Sequence, residues 1–123
     1  MGRSDPWHYL RLAAEVAQFK QDTRSHRLGA VGVRSDGVMV AAYNGTGYNG
    51  RSSKPFPPMH AEARLTRKLD FYSTVYVARP MKSGLGLARP CPACQRALRG
   101  KRVARVYYTI SDDEYGVLEL DKP

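Results

Sequence analysis

Two short stretches of the chain hold residue types that can do chemistry together: His60-Ala61-Glu62, and further on Pro90-Cys91-Pro92-Ala93-Cys94, which contains both of the chain's cysteines. An imidazole and two thiolates supply three ligands to a tetrahedral Zn²⁺, which leaves the fourth position open for water. Three protein ligands plus an open position is the arrangement of a catalytic zinc. Cys91 and Cys94 are three residues apart, so on the first turn of a helix both sulfurs point to one side and can clasp one ion. Glu62 follows His60 by two residues, and the two converge only at a helix start, around a metal off its end. From there Glu62 could take a proton from water and hand it to a leaving nitrogen.

The elements that must position these residues follow from the rest of the pattern. Apolar residues from Trp7 to about Lys20 recur at helical spacing, with Asp5 as cap and Pro6 suited to the first turn. Leu28 to Arg34 and Val38 to Asn44 read as two antiparallel strands joined at Ser35-Asp36-Gly37, since a DG step between such runs is a hairpin signal. Residues 45 to 58 are too rich in Gly and Pro for a regular element and form a loop over the site. Ala61 to Leu69 has helical composition, Thr74 to Ala78 is a strand, and Lys82 to Arg89 a Gly-containing loop. A helix from Cys91 to about Arg99, a strand from Arg102 to Ile110 and a short strand from Val117 to Leu120 complete the order. Both chemical motifs thus fall where a loop enters a helix, and helix N-termini favour thiolate over thiol.

The chain has 123 residues and a formal net charge of +9. That length suits one domain, residues 1 to 123, large enough to bury a core without disulfide staples, so the cysteines are available as thiolates. No apolar run marks a secretory signal or a membrane span, which predicts a soluble, cytoplasmic protein. Residues 51 to 105 carry thirteen Lys and Arg against Glu62 and Asp70, whereas residues 106 to 123 carry five acids against Lys122. A basic segment around the chemical residues suggests an anionic substrate, a nucleotide or a nucleic-acid strand; a solvated basic surface is the plain alternative.

The joined pattern H-x-E followed by P-C-x-x-C is the signature of zinc-dependent base deaminases, with the Glu outside the metal's ligands. On these residues the chain resembles the cytidine and deoxycytidylate deaminase superfamily over residues 7 to about 110. Trp7, the run Arg24-Ser25-His26-Arg27-Leu28-Gly29-Ala30-Val31, and Tyr43-Asn44-Gly45 are most similar to the deoxycytidylate branch. The tail is not: Ser111 to Gly116 is too short for a crossover, so the last two strands must be antiparallel, as in the cytidine deaminase branch. The chain also lacks cysteines for the second zinc site common in the deoxycytidylate branch. The resemblance implies a three-layer α/β/α fold on a five-stranded mixed sheet of order 2-1-3-4-5, with the last strand antiparallel. It further implies that Asn44 contacts the sugar, that the backbone of Ala61 meets the base beside Pro90, and that the protein forms a homo-oligomer.

Tyr48 and Phe56, in the loop before His60, could stack on a base, although core packing suits Phe56 equally. Arg89, Arg51 and Lys54 are candidates to meet a phosphate. His8 and His26 suit surface or capping roles better than metal binding. Zinc-dependent hydrolytic deamination of a dCMP-like cytosine nucleotide is the expected activity. A base in single-stranded DNA or RNA, or a free nucleoside, is the alternative substrate. From another class, a nucleic-acid binding module built on a structural zinc would need a fourth protein ligand.

Overall fold

A computed structural model describes residues 5–18, 28–43 and 65–120. Helix α1, Pro6–Gln18, starts where expected. The Asp5 carboxylate accepts from the Trp7 amide (3.1 Å), and the Asp5 carbonyl accepts from His8 N (2.9 Å). Pro6 in the first turn lacks an amide that would have had no helical partner.

Strands β1 (Gly29–Val33) and β2 (Met39–Tyr43) form the expected hairpin, in the register Gly29 to Tyr43 through Val33 to Met39. Gly37 takes φ 89°, a left-handed turn conformation that glycine adopts without steric cost, and the Asp36 side chain accepts from Val38 N (3.0 Å). After Leu65 and a 3₁₀ turn, Thr66–Lys68, come β3 (Thr74–Met81), β4 (Gly84–Gly86), helix α2 (Pro92–Gly100), β5 (Arg105–Thr109) and β6 (Tyr115–Glu119).

The sheet runs β2-β1-β3-β5-β6, with β3 and β5 parallel and β5 and β6 antiparallel. The five expected strands therefore keep their expected order, and the connection, residues 110–114 in the structure, makes the hairpin that its short length dictates. Two expectations are corrected. The stretch from Lys82 to Arg89 is not all loop, because Gly84–Gly86 folds back on Arg79–Met81 as a sixth strand. Strand β3 is correspondingly longer and ends at Met81 instead of Ala78. The cause is a long-range partner: the Asp112 carboxylate in the β5–β6 turn accepts from Leu85 N (2.7 Å) and holds the ribbon down.

Strand alternation divides the core into two layers. Val31 and Ala78 meet Ala13 of α1 on one face. Ala30, Val75, Val77, Val106 and Tyr108 meet Leu65, Leu69 and the α2 residue Leu98 on the other. Helices therefore cover both faces, giving the three-layer architecture. Tyr107 and Tyr108 both pack, on opposite sides: Tyr108 is buried in the α2 layer, and Tyr107 stacks on Tyr76 (centroids 5.1 Å), which stacks on Tyr9 of α1 (4.8 Å). No helix among the described residues is long and apolar enough to cross a membrane.

Candidate metal centre

Helix α2 begins one residue later than the sequence suggested, because Cys91 is its extended N-cap residue (φ −68°, ψ 163°) and Pro92 the first helical position. A proline there fixes φ and makes the strand-to-helix transition sharp. Cys91 is half-buried, and Cys94, in the first turn, is buried on the same side as Leu98. The two thiols thus sit at the cap and in the first turn of one helix, at the positive end of its dipole. Two such thiols, three residues apart at one helix start, suit half of a tetrahedral zinc site. Among the described residues no third metal-binding side chain joins them.

The segment that delivers Cys91 is held from several directions. Thr109, fully buried at the end of β5, donates its hydroxyl to Gly86 O (2.7 Å), and its Oγ1 also accepts from Arg79 N (3.3 Å). Its carbonyl accepts from Ala88 N (2.9 Å). The Gln95 side-chain amide donates to Pro90 O (2.8 Å), fixing the residue before the first cysteine. Arg89, exposed, extends its guanidinium over the Tyr108 ring (5.9 Å to the centroid) and donates to the Tyr108 hydroxyl (3.4 Å). Gly116 across the hairpin leaves space that the Tyr108 ring takes, since a methyl there would collide with it. No carboxylate pairs with Arg89 among the described residues.

The structure therefore brings Cys91, Cys94 and Pro90 together with Arg89. His60, Ala61, Glu62, Asn44, Tyr48 and Phe56, with Arg51, Lys54 and His26, lie outside the described residues. His8 is exposed on α1, in the layer across the sheet from the cysteines. Thr109, Asp112, Gln95 and Tyr108 were missed in the sequence. Thr109 reads there as an ordinary strand residue and Asp112 as a turn residue; Gln95, four residues from Cys91, carried the one usable signal.

Comparison with solved structures gives the same fold at low sequence identity. A cytidine deaminase from Burkholderia pseudomallei aligns with a TM-score of 0.66 at 19% identity, over 92% of this chain and 91% of that one. A cytidine deaminase from Mycobacterium leprae aligns with a TM-score of 0.60 at 16% identity, over 95% of each chain. Comparison with curated protein sequences finds no match. Residues 4–110 match the family described as the cytidine and deoxycytidylate deaminase zinc-binding region, so the chain belongs to that family and is a zinc-dependent hydrolytic deaminase.

Proposed function

We propose that the chain deaminates a cytosine nucleotide of the dCMP type, giving the uracil nucleotide and ammonia. The observation that carries the choice of a nucleotide is Arg89: an exposed guanidinium two residues ahead of Cys91, braced by Tyr108 and facing no carboxylate among the described residues. A phosphate would complete its hydrogen bonds, with geometry that a guanidinium favours. The basic composition of residues 51 to 105 supports the same reading.

In this reading His60, Cys91 and Cys94 hold the zinc. When bound, the metal supplies Lewis-acid activation of the attacking water. Glu62 takes a proton as water adds to C4 of the base and returns it to the departing nitrogen, so the C–N bond breaks and ammonia leaves. Asn44 contacts the sugar, the Ala61 backbone meets the base beside Pro90, and Tyr48 and Phe56 stack near it. Residues 1 to 123 act as one domain, in the cytoplasm, as a homo-oligomer.

The antiparallel β5–β6 hairpin and the two cytidine deaminases of like fold favour one other reading, a free nucleoside substrate. An ammonia-release screen of the zinc-loaded protein against cytosine and adenine nucleosides, nucleotides and a short single strand separates these, with dCMP-like nucleotides expected to react fastest. Arg89→Ala is expected to raise KM for the nucleotide roughly tenfold and leave that for the nucleoside unchanged. Equal effects on both substrates would remove Arg89 from phosphate recognition. Glu62→Ala should keep fold and zinc while ammonia release is lost; full activity in that variant would exclude the proton-carrying role. Retained zinc with no deamination of any substrate by the parent protein would instead point to a structural metal in a nucleic-acid binding module.

A further inference from the structure

At the end of α2 away from the cysteines, the chain exposes two adjacent aromatic side chains, Phe71 (55% exposed) and Tyr72 (54%). Tyr72 has φ 67°, and its amide donates to the carbonyl of Arg102 (2.7 Å), which has φ 58°. These are the two non-glycine residues with positive φ among the described residues, and they are bonded to each other. Left-handed backbone disfavours L side chains, and a bulky residue there is unusual. Arg102 closes α2, donating to Arg99 O (2.9 Å) while Val103 N donates to Leu98 O (3.1 Å). Glycine is the favoured residue at that closing position, yet Gly100 lies two residues earlier and Arg102 occupies it.

The Arg102 side chain gained at that cost meets the exposed Phe71 ring. The Arg102 guanidinium lies 5.9 Å from the centre of the Phe71 ring, within cation–π range. The backbone beneath is held by the Tyr72–Arg102 bond and by Ala104 N donating to Ser73 O (2.9 Å). Arg96 and Arg99 are exposed three residues apart on the outer side of α2, opposite buried Cys94 and Leu98. Asp70 is the one acid between Leu65 and Arg105, and it is engaged by Ser35 and Ser73. Arg99 alone would be explained by the negative end of the helix dipole. That explanation accounts for neither the exposed rings nor Arg102 in a glycine position.

We infer that Phe71, Tyr72 and Arg102 form a stacking platform for single-stranded nucleic acid, with Arg96 and Arg99 meeting its phosphates. Aromatic faces accept any base and cations track the backbone, which is the chemistry of sequence-tolerant single-strand binders. Within residues 65–105 the one acid, Asp70, is already engaged, which disfavours a basic protein partner. Two adjacent rings, each more than half exposed, suit successive bases of a strand. The surface acts independently of which cytosine substrate the metal centre takes.

The test is fluorescence anisotropy of the zinc-loaded full chain with a labelled single strand of about a dozen thymidine nucleotides, which offers no cytosine to deaminate. Binding should weaken steeply with salt. Replacing Phe71 and Tyr72 together by Ala should lower affinity about tenfold or more, while mononucleotide deamination is unchanged. Arg102→Gly should lower the slope of log affinity against log salt by about 0.7 and leave Tm equal or higher, because glycine fits that backbone. No binding at low salt, or full affinity in the double Ala variant, would overturn the inference. So would loss of self-association in that variant, read by sedimentation, with strand affinity intact, because the face would then join copies of the chain.

Discussion

Asp70 joins the β1–β2 turn to the start of β3. Its carboxylate accepts from the Ser73 hydroxyl (2.7 Å), the Ser35 hydroxyl (2.7 Å) and the Ser35 amide (3.0 Å), with Arg34 at 3.8 Å. These bonds, led by that from Ser73, pull its pKa from 3.8 down to about 2. The folded state therefore prefers the charged form. The stability this contributes is present above the unfolded value and is lost as pH falls through about 2. Urea midpoints of the parent should fall between pH 4 and pH 2, while those of Asp70→Asn should start lower and change less over that range. Parallel pH profiles for the two proteins would show that Asp70 titrates unperturbed. Thr109 makes a second residue-scale case, because its hydroxyl is buried between Gly86 O and Arg79 N. Thr109→Val keeps the shape but strands both groups, and should cost about 1–3 kcal/mol in denaturant unfolding. Thr109→Ser, which keeps the hydroxyl, should recover most of that loss.

At the scale of elements, α1 lies so close to β1 that a Cβ on Gly29 would strike the Ala13 carbonyl. Backbone cannot yield as a flexible side chain can. Gly29→Val should therefore destabilise the fold by about 1–3 kcal/mol or more, measured as a lower urea midpoint. An unchanged midpoint would mean that α1 shifts without loss. Helix α1, the Asp36-Gly37 hairpin and the β5–β6 hairpin were legible in the sequence because each is specified locally, by a cap, a turn dipeptide or a connection too short to cross over. Cys91 and Cys94 were legible for the same reason, since their spacing is that of one helical turn. Strand β4 and the Thr109 junction were not: β4 pairs with the adjacent end of β3, but the bonds that hold it down come from more than twenty residues away, Asp112 to Leu85 and Thr109 to Gly86. Nothing local in Ser83-Gly84-Leu85-Gly86 distinguishes a ribbon from a loop. The packing of Tyr107 was not legible either, since the aromatic layer from Tyr9 through Tyr76 assembles only once α1 is in place.

Over the whole molecule, the two layers depend on the metal centre unequally. The α1 layer closes around Ala13, Val31 and Ala78 with the stacked tyrosines, and uses no residue of the cysteine segment. The opposite layer includes Leu98 of α2, the helix capped by Cys91. With Cys91, Cys94 and His60 as the proposed ligands, metal binding contributes directly to folding and should do so mainly in that second layer. Chelator-treated protein should therefore lose amide protection first in α2 and in β4, while β1 and the central part of β3, braced by α1, keep theirs. Hydrogen exchange followed by mass spectrometry reads both regions in one experiment. Equal loss across all strands would show that the layers unfold as one unit, and unchanged protection in α2 would remove the cysteines as ligands. Adding zinc back should restore protection in the same segments, and Cys94→Ser should prevent that recovery, which separates metal loss from damage done by the chelator.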